Sequence, residues 1–216
     1  MRKQILIAAG TVLSIALLTI SATATPLVNG GSVVPSAFAS SPGTLLATTG
    51  ALGFTSTLGS SDFSGTVTES VYRDAITGNL DFVYQFSSAA ASQQAIEQMS
   101  ASSFDNFTTD VQQDTTAGFG PFTAGGVAAA SADRSASGKN VAFQFAGVPG
   151  GQSSAILMIA TNATAFGAGN VSFINEGTAT LTNVFAPVSA PEPSSLLLLG
   201  TGLLGLFGIA RKRKNV

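Results

Sequence analysis

Two uncharged, mostly apolar runs, Ile5 to Ile20 and Ser194 to Ala210, bracket a body of different texture. Within the body, apolar residues recur in short segments with period two, the repeat of a strand that buries one face. Leu80-Asp81-Phe82-Val83-Tyr84-Gln85-Phe86 alternates most clearly, and Thr66 to Tyr72 alternates in part. Leu80, Phe82, Tyr84 and Phe86 are expected on the core side. Arg73 to Asn79, with Thr77-Gly78-Asn79, reads as the hairpin turn between the two strands. Further strands are expected at Phe104–Val111, Val141–Phe145, Ala155–Thr161, Val171–Ile174 and Thr178–Phe185. Residues 25–60 are rich in Gly, Ser, Thr, Pro and Ala, and read as a loose segment that enters a first strand near Leu45–Leu58. Ser92 to Ser100 is the one helix-like stretch, since Gln94, Ile96, Glu97 and Met99 tolerate helix. Gly118–Gly126 and Pro149-Gly150-Gly151 read as loops. Seven or eight short strands with Gly and Pro between them predict an all-β ectodomain over residues 61–187, an antiparallel β-sandwich of jelly-roll or Greek-key type.

The first apolar run belongs to a secretory signal over residues 1–24. Arg2 and Lys3 form its positive start, and Ala22-Thr23-Ala24 places small residues at −3 and −1 of a cleavage site. An uncleaved membrane helix is the alternative, and Ala37-Phe38-Ala39 is a second, more distant A-x-A. The C-terminal region, residues 188–216, has three parts in order: Pro191-Glu192-Pro193, the run 194–210, and Arg211-Lys212-Arg213-Lys214. As a helix the 17 residues of that run span about 25 Å, near the lower limit for a bilayer. The basic cluster stays on the cytoplasmic side, which puts the body outside. Each proline disfavours helix at the residue before it and keeps the motif extended.

This order of motif, apolar helix and basic cluster resembles the PEP-CTERM sorting signal of Gram-negative bacteria. The resemblance implies an exosortase as partner, a membrane cysteine protease-transpeptidase that cuts near Pro191-Glu192-Pro193, and a precursor held in the inner membrane before it reaches the surface or the exterior. A plain C-terminal anchor, with Pro-Glu-Pro serving only as a helix start, is the alternative. The body resembles recurring PEP-CTERM ectodomains through Asp81–Phe86 and Ala155–Thr164, and that resemblance implies a compartment but no assigned activity.

Charge sharpens the picture. Six of the nine Lys and Arg residues sit at the two ends, leaving Arg73, Arg134 and Lys139 against ten acids in residues 25–190, a net −7. A body of that balance has no clustered cations for phosphates, so nucleic acid is not an expected partner. The chain has no Cys and no His, which removes disulfide frameworks, thiol chemistry, Cys-ligated metals and any imidazole base. A Ser–Lys pair would have to use Lys139, in the turn-like Ser137-Gly138-Lys139-Asn140. Gly200-Thr201-Gly202-Leu203-Leu204-Gly205 spells G-x-G-x-x-G, but it sits in the apolar tail with no acid after it, and a dinucleotide fold requires both a strand before and an acid beyond. Asp105, Asp110 and Asp114 are candidate calcium ligands, with turn and surface roles preferred because the D-x-D-x-D-G order is missing. Tyr72, Tyr84, Phe119 and Phe122 are candidate sugar platforms. Asn106-Phe107-Thr108, Asn162-Ala163-Thr164 and Asn170-Val171-Ser172 spell glycosylation sequons. The expectation is a non-enzymatic surface or matrix protein without a cofactor, associated with exopolysaccharide. A carbohydrate-binding module is the alternative, and a carboxylate glycosidase is more distant.

Overall fold

The computed structural model describes residues 25–38, 42–56 and 62–190. The structure is all-β, and the described residues contain no helix. Three two-residue bridges come first: β1 (Thr25–Pro26), β2 (Ser32–Val33) and β3 (Ser36–Ala37). A meander of longer strands follows, β4 (Gly43–Ser56), β5 (Phe63–Asp74) and β6 (Leu80–Ser88). Then come β7 (Ile96–Ala101), β8 (Thr109–Asp114), β9 (Ser131–Arg134), β10 (Val141–Val148), β11 (Ile156–Thr161), β12 (Ala165–Asn175) and β13 (Gly177–Val188). One sheet runs β1-β8-β11-β6-β5-β4, with β3 joining β8 in parallel, and the other runs β13-β12-β7-β10-β9-β2. The sheet ladders are antiparallel apart from β3 with β8.

The inner faces of the two sheets share one core. Phe54 of β4 stacks on Phe173 of β12 with ring centroids 3.9 Å apart, and Phe86 of β6 meets Phe173 and Phe145 edge-on. The β5–β6 hairpin forms as its sequence predicts: Arg73 pairs with Leu80, and the Asp74 carboxylate accepts the Ile76 and Thr77 N–H groups inside the turn. Leu80, Phe82, Tyr84 and Phe86 all face the core. The opposite face of β6 is covered as well. Val83 packs with Phe38, Tyr72, Phe122, Ile156 and Met158, with Phe119 against them, in a second small cluster. The Gln85 amide holds the covering loop down by donating to the carbonyls of Thr123 and Ser154 and accepting the Thr123 N–H.

Residues 25–38 are not loose. Together β1, β2 and β3 attach this segment to both sheets, at the side away from β4 and β13. Leu27 and Phe38 are buried, and the Leu27 N–H donates to the Thr109 carbonyl. Its Gly, Ser and Pro residues serve pairs that are two residues long and separated by turns, as at Gly30, with φ of 71°.

Two further expectations change, and one strand is new. Ser92–Ser100 is not helical, and β7 occupies Ile96–Ala101. Ile96 and Met99 are both buried at a helix-like spacing, because the alternation of β7 breaks between Ile96 and Gln98, where its register against β10 also shifts, beside Gly147 with φ of 129°. The Phe104–Val111 strand starts only at Thr109, since Ser103 and Asn106 adopt left-handed backbone, with φ of 75° and 71°. The short β9 went unpredicted, being only four residues long with Asp133 and Arg134 among them.

Candidate functional site

The body ends, among the described residues, in a firmly fixed strand. The β12–β13 hairpin turns tightly at Glu176, and its pairing continues to the last residue of β13, where Ala165 faces Val188. Val184 and Ala186 bury their side chains. Next to the register shift between Gly169 and Val171, the N–H of Phe185, opposite Ala168, donates to the Glu69 carboxyl Oε2 at 2.7 Å. Glu69 lies on β5 in the other sheet, so this bond ties the final strand across the core. Ser189 and Ala190 then emerge exposed.

Glu69 is fully buried and registered opposite Tyr84 on β6. Burial raises its pKa from 4.5 to about 8, against the opposing pull of the Phe185 N–H and the Tyr84 hydroxyl. Burial, and then the Glu69 charge, push the Tyr84 hydroxyl well above its ordinary value. Burial, with a smaller contribution from Asp74, raises Asp81 to about 7. The folded state keeps the Glu69 proton up to about pH 8, whereas the unfolded chain releases it near 4.5, so this stabilisation is complete below 4.5 and is lost as pH rises to about 8. Melting temperature is therefore expected to fall between pH 5 and pH 9. Glu69→Gln, which keeps an oxygen for the Phe185 N–H, removes most of that slope and leaves the smaller part due to Asp81. An unchanged slope in Glu69→Gln contradicts the assignment.

The remaining candidates are scattered by the fold. Asp105 lies exposed in a turn, and Asp110 lies half-buried on β8. The Asp114 carboxylate is spent on the Thr116 N–H and hydroxyl, both at 2.6 Å. No group of three His, Cys, Asp or Glu residues is placed to hold a metal among the described residues. Tyr72, Tyr84 and Phe122 are buried, and Phe119 packs on Phe38, Tyr72 and Phe122, so these four rings are packing groups rather than sugar platforms. Ser137 and Lys139 sit on an exposed turn, where the hydroxyls of Ser135 and Ser137 accept backbone N–H groups. Arg73 is tied to its own hairpin through the Gly78 carbonyl.

Arg134 is the residue that sequence reading passed over. Its guanidinium is buried and donates to the carbonyls of Gly138, Leu27, Phe104 and Phe107, at 3.1, 3.2, 2.8 and 2.6 Å. Desolvation lowers its pKa and the nearby Asp105 charge raises it in part. One side chain thus clamps the N-terminal segment, the 104–107 turn and the turn after β9.

The segments read as addresses lie outside the described residues. These are the signal 1–24 with Ala22 and Ala24, Pro191-Glu192-Pro193, the run 194–210, and Arg211, Lys212, Arg213 and Lys214. Among the described residues no helix is long and apolar enough to cross a membrane. Residues 189–214 match the model of the PEP-CTERM protein-sorting motif. The chain carries a PEP-CTERM sorting signal. The match begins one residue after β13 ends, so the PEP-CTERM segment follows directly on the strand that Glu69 holds. A PEP-CTERM motif implies an exported, membrane-anchored precursor that an exosortase then cleaves. No curated protein and no solved structure matches the chain.

Proposed function

We propose that the protein is a non-enzymatic surface or extracellular-matrix component, released or transferred by exosortase and associated with exopolysaccharide. Its two sheets form a β-sandwich ectodomain between an N-terminal signal helix and a C-terminal transmembrane helix. The observation that carries this reading is the PEP-CTERM match beginning where the last strand of a tightly hydrogen-bonded body ends. A second observation supports the position of signal cleavage. Thr25, the residue after Ala24, pairs with Val111 in β1, whereas a cut after Ala39 would remove Leu27 and Phe38 from the packed interior. The carboxylates offer an enzyme little, because Glu69 faces the core between the sheets and Asp114 caps its own turn.

Fractionation of cells that make the native protein tests the reading. Antibody to the body should find it outside the cytoplasm, sedimenting with the polysaccharide matrix, and a strain unable to make that polysaccharide should release it into the medium. Protein that stays in the cytoplasm overturns the export reading. Protein that stays cell-bound without the polysaccharide overturns the matrix association alone.

The alternative of a carbohydrate-binding module of the envelope is favoured by one feature, a groove above Arg134 that mixes amide and apolar side chains.

A further inference from the structure

A solvent-open groove of about 560 Å³ lies where the N-terminal segment, the turn before β8 and the turn after β11 converge. Its size falls in the range of small-molecule sites. Asn29, Asn106 and Asn162 line it from three separate segments, joined by Phe107 and Asp110, with Arg134 beneath. The Arg134 guanidinium binds the carbonyls of Leu27, Phe104 and Phe107, so two walls of the groove are fixed to a common point. The shape is therefore set before any ligand arrives, which reduces the ordering cost of binding.

The chemistry of the lining selects the ligand. Asn162 Oδ1 accepts the Thr108 N–H, which orients that amide and leaves its Nδ2 hydrogens to donate. Asn106 donates through Nδ2 to Asp105, leaving Oδ1 as an acceptor. Asp110 adds acceptors, and its pKa is raised by burial. Phe107 is half-buried and offers an apolar surface beside these groups. Donors and acceptors interleaved with a ring surface match the hydroxyls and C–H faces of a sugar. Four of the five Arg134 N–H donors are taken up by carbonyls, and the acids Asp105 and Asp110 stand nearby, so the site disfavours anions.

We infer that this groove binds a segment of a neutral polysaccharide, through the amides of Asn106 and Asn162. The inference rests on the proposed association with exopolysaccharide and names the site and the sugar class. It also gives a use to exposed asparagines that otherwise read only as sequons.

The test uses the full chain in a non-glycosidic detergent, titrated calorimetrically with cellohexaose, mannohexaose, dextran and, as the anionic probe, alginate. Asn106→Gly keeps the left-handed backbone at φ 71° while removing the amide. Asn162→Asp keeps the oxygen that accepts the Thr108 N–H while removing the donor. Asn183→Ala, at an exposed position of β13, is the control. Circular dichroism melts confirm that all three variants fold. At least one neutral probe should bind with an affinity that salt does not change, and each groove variant should weaken it by about fivefold, one neutral hydrogen bond, while the control does not. Neutral binding that both groove variants leave intact overturns the site but not the matrix association. Failure of every neutral probe, or salt-sensitive binding of alginate alone, overturns the neutral-sugar assignment. Matrix co-sedimentation is read separately and stands or falls independently.

Discussion

Replacing Pro191, Glu192 and Pro193 together with alanine is expected to leave the chain uncut in the inner-membrane fraction, with the processed form below detection. In sequence terms, each proline disfavours helix at the residue before it, which favours an extended Pro-Glu-Pro ahead of the apolar run. Alanine favours helix, so the substitution lets the run extend toward the body and withdraws the extended peptide a protease must grip. The motif lies only two residues beyond β13, whose end is paired to Ala165 and braced by Glu69. That strand has little slack to compensate. Glu192→Gln alone separates charge from shape. It should slow processing if the carboxylate is recognised and leave it unchanged if the extended backbone suffices. An immunoblot of membrane and medium fractions reads both variants. Normal processing of the triple variant contradicts the role given to the motif.

The largest stability effect is expected at Arg134. Arg134→Met keeps the aliphatic stem and deletes all the donors, leaving the carbonyls of Leu27, Phe104, Phe107 and Gly138 without this partner. The Leu27 and Phe104 carbonyls keep the Thr109 hydroxyl and the Phe107 N–H, but those of Phe107 and Gly138 lose their Arg134 donor, which puts the loss at about 3 kcal/mol. Arg134→Lys restores a charge but not the fork that reaches several carbonyls at once, and should recover only part of the loss. Urea denaturation of the full chain measures both. The side of the body near β1 and the 104–107 turn should become exposed to hydrogen exchange first, because Arg134 joins those segments. A loss within a few tenths of a kcal/mol would show that the clamp is incidental.

Legibility followed the range of the interactions. The β5–β6 hairpin was readable because its strands are adjacent in sequence, its turn carries Thr77-Gly78-Asn79, and its core face repeats every second residue. The sorting tail was readable because its information is the order of three local elements, and the match over residues 189–214 bears out that reading. Pairings of low sequence signal were not readable. Each of β1, β2 and β3 is only two residues long, and what holds their segment is the burial of Leu27 and Phe38 against strands far along the chain. The helical appearance of Ile96 and Met99 came from a break in the alternation of β7, where its register against β10 shifts. Tyr72, Phe119 and Phe122 looked available for ligands because nothing local reveals that a loop folds over the outer face of β6. The groove above Arg134 draws Asn29, Asn106 and Asn162 from three segments, and no spacing rule joins them.

Mass spectrometry of the protein recovered from its native cells tests the central claim most directly. The account predicts an N-terminus at Thr25 and a C-terminus close to Pro191-Glu192-Pro193, lacking residues 194–216, in protein from outside the inner membrane. An intact chain from Met1 to Val216 in the soluble cytoplasmic fraction contradicts it.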